Sequence, residues 1–308
     1  MNTRIKEYLI EILDKDRVFE NAPLSEYTSF KVGGPADFLV QTSESDEIEK
    51  LIALASQEKI PYYVIGNGTN MLVSDEGYHG LVILIKDKKN GIVFEESADG
   101  ATVTVGAGCS LSRFANEAAS HGYSGLEFAS GIPGSVGGAV VMNAGAYGGE
   151  IKDVIKYALV MDSAGNIMKL DRGELELSYR SSVIQRKNLV VLEACFELKK
   201  GNAEQIKAEI RELNERRREK QPLDYPSAGS TFKRPEGHFA GKLIEDAGLR
   251  GYCVGDAQVS EKHCGFVINK GKATASDIYR LIADVIEKVY SEFGVELEPE
   301  IKLLGFDE

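Results

Sequence analysis

Apolar positions recur along the chain with two different spacings. At the N-terminus Ile5, Leu9, Ile12 and Leu13 fall three or four residues apart, which predicts a short amphipathic helix. Residues 45–59 repeat that spacing through Ile48, Leu51, Ile52 and Ala55, and Pro61 follows as a stop. The segment PYYVIGNGTNMLVSD then reads as a strand, a glycine turn and a second short strand. The runs LVILI (81–85), IVFEE (92–96) and TVTVGAG (102–108) predict strands, and a helix follows from Ser110 to about Ser120. VIKYALVMDSAGNIMKL predicts a hairpin about SAGN, and NLVVLEACFEL one more strand. A charged helix over 203–220 ends at PLDYP. From Ser276 to Phe293 the pattern is plainest: Ile278, Leu281, Ile282, Val285 and Val289 line one side, with Ser276 as the cap and Gly294 at the end. Between these two helices lie short β pieces, YCVGDAQVS and GFVINKG.

Strands and helices are therefore mixed, and no repeat of fixed period is present. A length of 308 residues exceeds what one core usually organises. The composition shifts near residue 200, which predicts a boundary near Gly201 and a smaller α+β domain behind it. Charge narrows the partners: 48 acidic against 36 basic residues give a net charge of −12. That balance argues against nucleic acid or anionic membrane, each of which calls for a basic face. No apolar run approaches the ~20 residues of a membrane span. Acids interrupt the basic N-terminus, so it reads as a helix rather than a signal peptide, and the expected location is cytoplasmic. Cys109, Cys195, Cys253 and Cys264 show no metal spacing and are expected as buried, reduced thiols.

Candidate chemistry sits in two glycine clusters, Gly66-Asn67-Gly68-Thr69-Asn70 and Gly131-Ile132-Pro133-Gly134-Ser135-Val136-Gly137-Gly138. The longer stretch GIPGSVGGAVVMNAGAYGGE (131–150) carries seven glycines and no charge before its last residue. Without a side chain, backbone N–H groups approach a ligand closely, and consecutive turn amides form an anion-binding concavity where lysine and arginine are absent. Tight turns alone are the competing reading. GAGCSL (106–111) follows a strand and precedes a helix, but Leu111 stands where a dinucleotide fingerprint needs its third glycine. The chain contains no P-loop, GxSxG elbow or HExxH motif.

The segments YTSFKVGGPADF (27–38), GNGTNMLVSDEGYHGLVI (66–83), GLEFASGIPGSVGGAVVMNAGAYGGE (125–150), LSYRSS (177–182), AGSTFKRP (228–235), AGKLIEDAGLRG (240–251), KHCGFVIN (262–269) and LEPEIKLLG (297–305) occur in one order over nearly the whole chain. This ordered set resembles the UDP-N-acetylenolpyruvoylglucosamine reductase family. The resemblance implies an α+β protein with an FAD-binding fold of the vanillyl-alcohol-oxidase (PCMH) type. Its FAD-binding subdomains would span 1–85 and 86–202, and a substrate domain 203–308, the last strand returning to the FAD site. The implied reaction reduces the enolpyruvyl ether of UDP-N-acetylglucosamine to UDP-N-acetylmuramate for peptidoglycan, with non-covalent FAD, NADPH as hydride source and no metal.

Residue roles follow from the same resemblance. Arg180, in the Tyr-Arg-x-Ser motif, and Glu300, in LEPEI, stabilise the enolate formed when hydride reaches C3; Ser230, in AGSTFKRP, gives the proton to C2. Gly66, Asn67, Gly68, Thr69, Asn70, Gly131, Ile132, Gly134, Ser135, Gly137, Gly138, Ala144 and Gly145 are the implied cofactor contacts. Lys220, Lys233 and Arg234 are the implied substrate contacts, and His263 lies in a family motif. Read alone, Arg180 is a strand-end arginine, Glu300 a surface acid and Ser230 a turn residue. About fifty residues separate Arg180 from Ser230, which suggests the shorter of the family's two types. Two other classes stay open: a flavin oxidase of a sugar or alcohol, and a non-catalytic sugar-nucleotide module.

Overall fold

The computed structural model describes residues 2–88 and 90–306. It divides into two units: Met1–Glu20, Phe38–Asn67 and Gly80–Arg216 form one, and Asn21–Asp37, Gly68–His79 and Arg217–Glu308 the other.

In the first unit an antiparallel sheet runs Ile167–Asp171, Ile155–Met161, Val190–Lys200, Gly100–Gly106, Ile92–Glu96, and the short strand Tyr123–Ser124 also pairs with Val190–Lys200. The two-residue period of Gly100–Gly106 accounts for its orientation. Ala101, Val103 and Val105 are buried, while Thr102 and Thr104 are half-buried on the other face. Register sets Val103 opposite Phe196. The Phe114 ring lies 5.0 Å from that of Phe196. Phe114 rides on the helix Leu111–Ser120, which begins because Ser110 Oγ accepts the Arg113 N–H. Burying Leu111 or Phe114 contributes about 1.5–3 kcal/mol each, so truncation of either to Ala loosens this layer.

A second sheet has the order Val18–Pro23, Pro35–Thr42, Tyr78–Ile85, Tyr62–Ile65. Its last pair is parallel, with Tyr62 opposite Leu81 and Ile65 opposite Leu84. The helix Ser45–Glu58 buries Ile48, Leu51, Ile52 and Ala55 in the core of the first unit and stops at Lys59, which takes φ 54. The N-terminal helix Asn2–Ile12 adds Ile5 and Leu9 to the same core. The Gly66 turn leaves the end of Tyr62–Ile65.

The second unit packs the helix Ala275–Phe293 with a three-stranded sheet of Cys253–Val254, Ala257–Val259 and Val267–Asn269. Ile278, Leu281, Ile282, Val285 and Val289 are buried, and Gly294 closes the helix at φ 67. The expected cap at Ser276 is corrected: Thr274 caps the helix in a reciprocal pair with Asp277. Ser276 instead serves Asp75, whose carboxylate accepts the Ala275 N–H at 2.8 Å, the Ser276 N–H at 2.9 Å and the Ser276 hydroxyl at 2.7 Å. Lys302–Leu304 pairs in parallel with Met71–Val73. Of the four thiols Cys109, Cys195 and Cys264 are buried, but Cys253 is exposed, because its two-residue strand lies at the edge of the small sheet.

Candidate active site

Within the first unit Gly66, from the first glycine cluster, meets Ser135 of the second. A Cβ placed on Gly66 would lie 2.1 Å from Ser135 Oγ and 2.9 Å from Ser135 Cβ, so only glycine fits there. Ser135 Oγ accepts the Gly138 N–H at 3.2 Å and so caps the helix Val136–Val141. The segment is fastened to the strand exit beside it: Leu111 N–H donates to Gly134 O at 2.9 Å, Val136 N–H to Cys109 O at 2.8 Å and Gly137 N–H to Ala107 O at 2.8 Å. A Cβ on Gly137 would come within 2.9 Å of the Ala107 Cβ. The N–H groups of Gly131, Gly134 and Ser135 have no protein acceptor among the described residues. They form an uncharged donor set of the kind a pyrophosphate accepts, which fits FAD. Ile132 N–H is spent on Ala129 O, and Ala144 N–H on Ala139 O.

Of the first cluster, Gly66 and Asn67 belong to the first unit and Gly68, Thr69 and Asn70 to the second. Gly68 takes φ 61, and a Cβ there would sit 1.9 Å from Tyr27 O. Asn67 is exposed and Thr69 half-buried. Asn70 Nδ2 donates to Glu300 O at 3.3 Å, and its own carbonyl accepts the Lys302 N–H at 3.0 Å.

Arg180 occupies a tight turn in the first unit. Ser178 and Ser181 exchange backbone bonds at 3.0 and 3.2 Å, and Arg180, the third residue of the turn, takes φ 52. Positive φ at that position is ordinarily left to Gly or Asn. Non-glycine residues held there collect at functional sites. Its guanidinium donates to Gly145 O at 3.4 Å and lies 5.1 Å from the centre of the Tyr179 ring. Glu150 is close: its carboxyl is held below the ordinary value first by the Lys152 ammonium, then by the Asn143 amide, with the Arg180 charge adding to both and burial opposing them.

Ser230 and Glu300 lie together in the second unit. Glu300 N–H donates to Thr231 O at 2.8 Å, Phe232 bridges to Pro299, and Ser230 bridges to Phe266. Ser230 Oγ reaches Phe232 O at 3.4 Å. Lys233 N–H donates to Glu298 O at 2.8 Å, and its ammonium pairs with the Glu298 carboxylate. Lys302, which sequence reasoning passed over, joins this group. Burial lowers its ammonium below the ordinary lysine value, the Lys233 charge pushes the same way, and Glu298 and Glu300 oppose them. Its two-residue spacing from Glu300 was the available signal, since alternate residues of an extended segment share a face. Arg234 is exposed, lies 4.0 Å over the Phe239 ring and donates to His238 O at 3.3 Å. Lys220 ends the helix Ala203–Lys220 and is exposed. His263 Nδ1 accepts the Gly265 N–H at 3.1 Å, which leaves the neutral ring's proton on Nε2.

No helix among the described residues is long and apolar enough to cross a membrane, and no group of three His, Cys, Asp or Glu could hold a metal there. The fold and the glycine segments define a flavoprotein: a family model described as an FAD binding domain matches residues 36–171. A second model, the C-terminal domain of UDP-N-acetylenolpyruvoylglucosamine reductase, matches 221–304. Reductases of that name from Lachnoclostridium phytofermentans and Caldanaerobacter subterraneus are 56% and 53% identical to this chain, covering 99% and 96% of it and 98% and 97% of their own lengths. The crystal structure of the reductase from Thermus caldophilus superposes with a TM-score of 0.77 at 35% identity, over 93% of this chain and 98% of that one. The chain belongs to the UDP-N-acetylenolpyruvoylglucosamine reductase family. A grass pollen allergen with glucose dehydrogenase activity shares the fold alone, with a TM-score of 0.50 at 10% identity over 65% of this chain and 44% of its own. The fold is α+β, an FAD-binding domain joined to a C-terminal domain of this family.

Proposed function

We propose that this chain reduces the enolpyruvyl ether of UDP-N-acetylglucosamine to UDP-N-acetylmuramate, a precursor of peptidoglycan, with FAD held non-covalently. Residues 1–85 and 86–202 bind the cofactor and 203–308 the sugar nucleotide. Bound there, FAD would supply hydride chemistry toward C3 of the enolpyruvyl group, with NADPH as the reductant. The N–H donors of Gly131, Gly134 and Ser135 would hydrogen-bond its pyrophosphate, which lets an acidic protein hold an anion without lysine.

Hydride addition at C3 breaks the carbon–carbon π bond and drives its electron pair toward C2 and the carboxylate. Arg180 grips that carboxylate through parallel N–H donors and stabilises the growing charge. Glu300 polarises the same group by hydrogen-bond donation, which requires a protonated carboxyl or an ordered water. Ser230 delivers its hydroxyl proton to C2 and recovers one from water; a carbanion-like C2 is basic enough that position matters more than donor acidity. Lys233 and Arg234 meet the UDP phosphates, and Lys220 serves the substrate. Support comes above all from the Glu300 N–H to Thr231 O bond, which seats Ser230 and Glu300 on adjoining backbones.

The test is the visible spectrum of purified protein under anaerobic conditions. The flavin bands bleach with NADPH and return when the enolpyruvyl sugar nucleotide is added. A protein that cannot be loaded with FAD, or a bleached flavin that only oxygen restores, overturns the reading.

A further inference from the structure

We infer that Asn143 is a positioning residue for Arg180, acting through the turn that carries the arginine. Asn143 is fully buried and takes φ 42. Asparagine tolerates that backbone better than most residues, yet a buried carboxamide is costly unless each of its polar groups is bonded. Its bonds all run to the two pieces of chain that flank Arg180. Nδ2 donates to Ser178 O at 3.0 Å and to Glu150 Oε2 at 2.9 Å, and Oδ1 accepts the Lys152 N–H at 2.9 Å.

Ser178 is the first shoulder of the Arg180 turn. The second shoulder is fastened close by, because Ser182 Oγ donates to Val141 O at 2.7 Å. The turn is thus tied at both ends to residues 141–143, at the end of the helix that Ser135 caps. On the other side Asn143 holds Glu150, and Glu150 pairs in register with Gly145, whose carbonyl receives the Arg180 guanidinium. One carboxamide therefore fixes both the backbone from which Arg180 projects and the strand against which its head group rests. A residue with positive φ returns to commoner conformations when its surroundings loosen, so the arrangement depends on such fastening.

The inference rests on the reading of Arg180 given above, and the experiment separates the two. Asn143→Gly keeps a residue at ease with positive φ and removes the carboxamide; Arg180→Lys keeps the charge and removes the fork. Wild type, both single variants and the double variant are reduced with dithionite without oxygen and mixed with the enolpyruvyl sugar nucleotide, and recovery of the flavin absorbance is timed. FAD affinity is measured separately by fluorescence. Arg180→Lys should slow recovery about a hundredfold, as loss of a transition-state donor does. Asn143→Gly should slow it roughly ten- to a hundredfold through misplacement, with FAD affinity unchanged within about twofold. The double variant should be no slower than Arg180→Lys alone.

If Arg180→Lys recovers at the wild-type rate, the role of Arg180 itself fails. If Arg180→Lys is slow and Asn143→Gly is not, or if the two losses multiply in the double variant, the positioning role fails. Should Asn143→Gly not hold FAD, Glu150→Ala is timed in the same way, since it releases the other side of the clasp. Recovery slowed there with FAD retained supports the clasp; an unchanged rate or loss of FAD overturns it.

Discussion

Replacing Gly66 by alanine tests the contact that joins the two glycine segments. The new Cβ would stand 2.1 Å from Ser135 Oγ, closer than any Cβ is found to a neighbour, and 2.9 Å from Ser135 Cβ. Rotating the serine removes the first overlap but breaks its bond to Gly138 N–H, a helix cap worth about 1 kcal/mol. The second overlap involves the serine's own Cβ and yields only if backbone moves, an overpacking cost of about 1–3 kcal/mol. Gly66→Ala should therefore destabilise the protein by about 2–4 kcal/mol, read by urea denaturation. It should also weaken FAD at least about tenfold by fluorescence titration, because the shifted residues carry the free donors of Gly134 and Ser135. The double variant G66A/S135G removes both overlapping atoms and places at the cap a residue only a few tenths of a kcal/mol worse than serine. It should regain most of the loss. Gly106→Ala is the control: nothing lies within 4 Å of its added Cβ, and it should be neutral or slightly stabilising. A Gly66→Ala protein as stable and as tight for FAD as wild type, or a double variant no better than the single, refutes the reasoning.

Further outcomes follow from the second unit. Ser230→Ala should leave flavin reduction by NADPH intact and slow recovery with the sugar nucleotide about a hundredfold or more; loss of FAD from a folded variant would remove Ser230 from the chemistry. For Asp75, burial raises the carboxyl, but the Ser276 hydroxyl and the Ala275 and Ser276 N–H groups outweigh it and hold the group below its ordinary 3.8. Its stabilising contribution is then present above that value and lost as pH falls through the lower folded one. Asp75→Asn should melt below wild type at neutral pH, with the gap closing in acid; a pH-independent gap contradicts the assignment. For His263, burial first and the Arg250 charge after it lower the ring below its ordinary 6.5, against a raising contribution from its backbone bond. The fold keeps this contribution above 6.5 and loses it as pH falls. His263→Asn should therefore flatten the acid side of the melting profile below that pH, and an unchanged slope there would show that another group titrates.

Periodicity carried the elements well because each buries one face. The stripe Ile278, Leu281, Ile282, Val285 and Val289 predicts a helix from Ser276 to Phe293, observed as Ala275–Phe293, and TVTVGAG (102–108) predicts a strand, observed as Gly100–Gly106 with Val103 and Val105 inward. Ends were less legible, since two hydroxyl residues two positions apart both suit a cap and only the fold shows that Asp75 claims Ser276 while Thr274 caps. Cys253 illustrates the same limit, because a thiol's burial depends on where its short strand falls in a sheet. Within the candidate site, glycine spacing marked both candidate segments, but the contact of Gly66 with Ser135 joins positions far apart in the chain and leaves no local pattern. Arg180 is the sharpest case. Its motif can be read, whereas its φ of 52 cannot, because arginine has no preference for that conformation and the surroundings impose it. Those surroundings include Asn143, which looks in sequence like one more small residue of a glycine-rich turn. What makes it different is burial together with three bonds that end on either side of the arginine, and that combination exists only once the chain has folded.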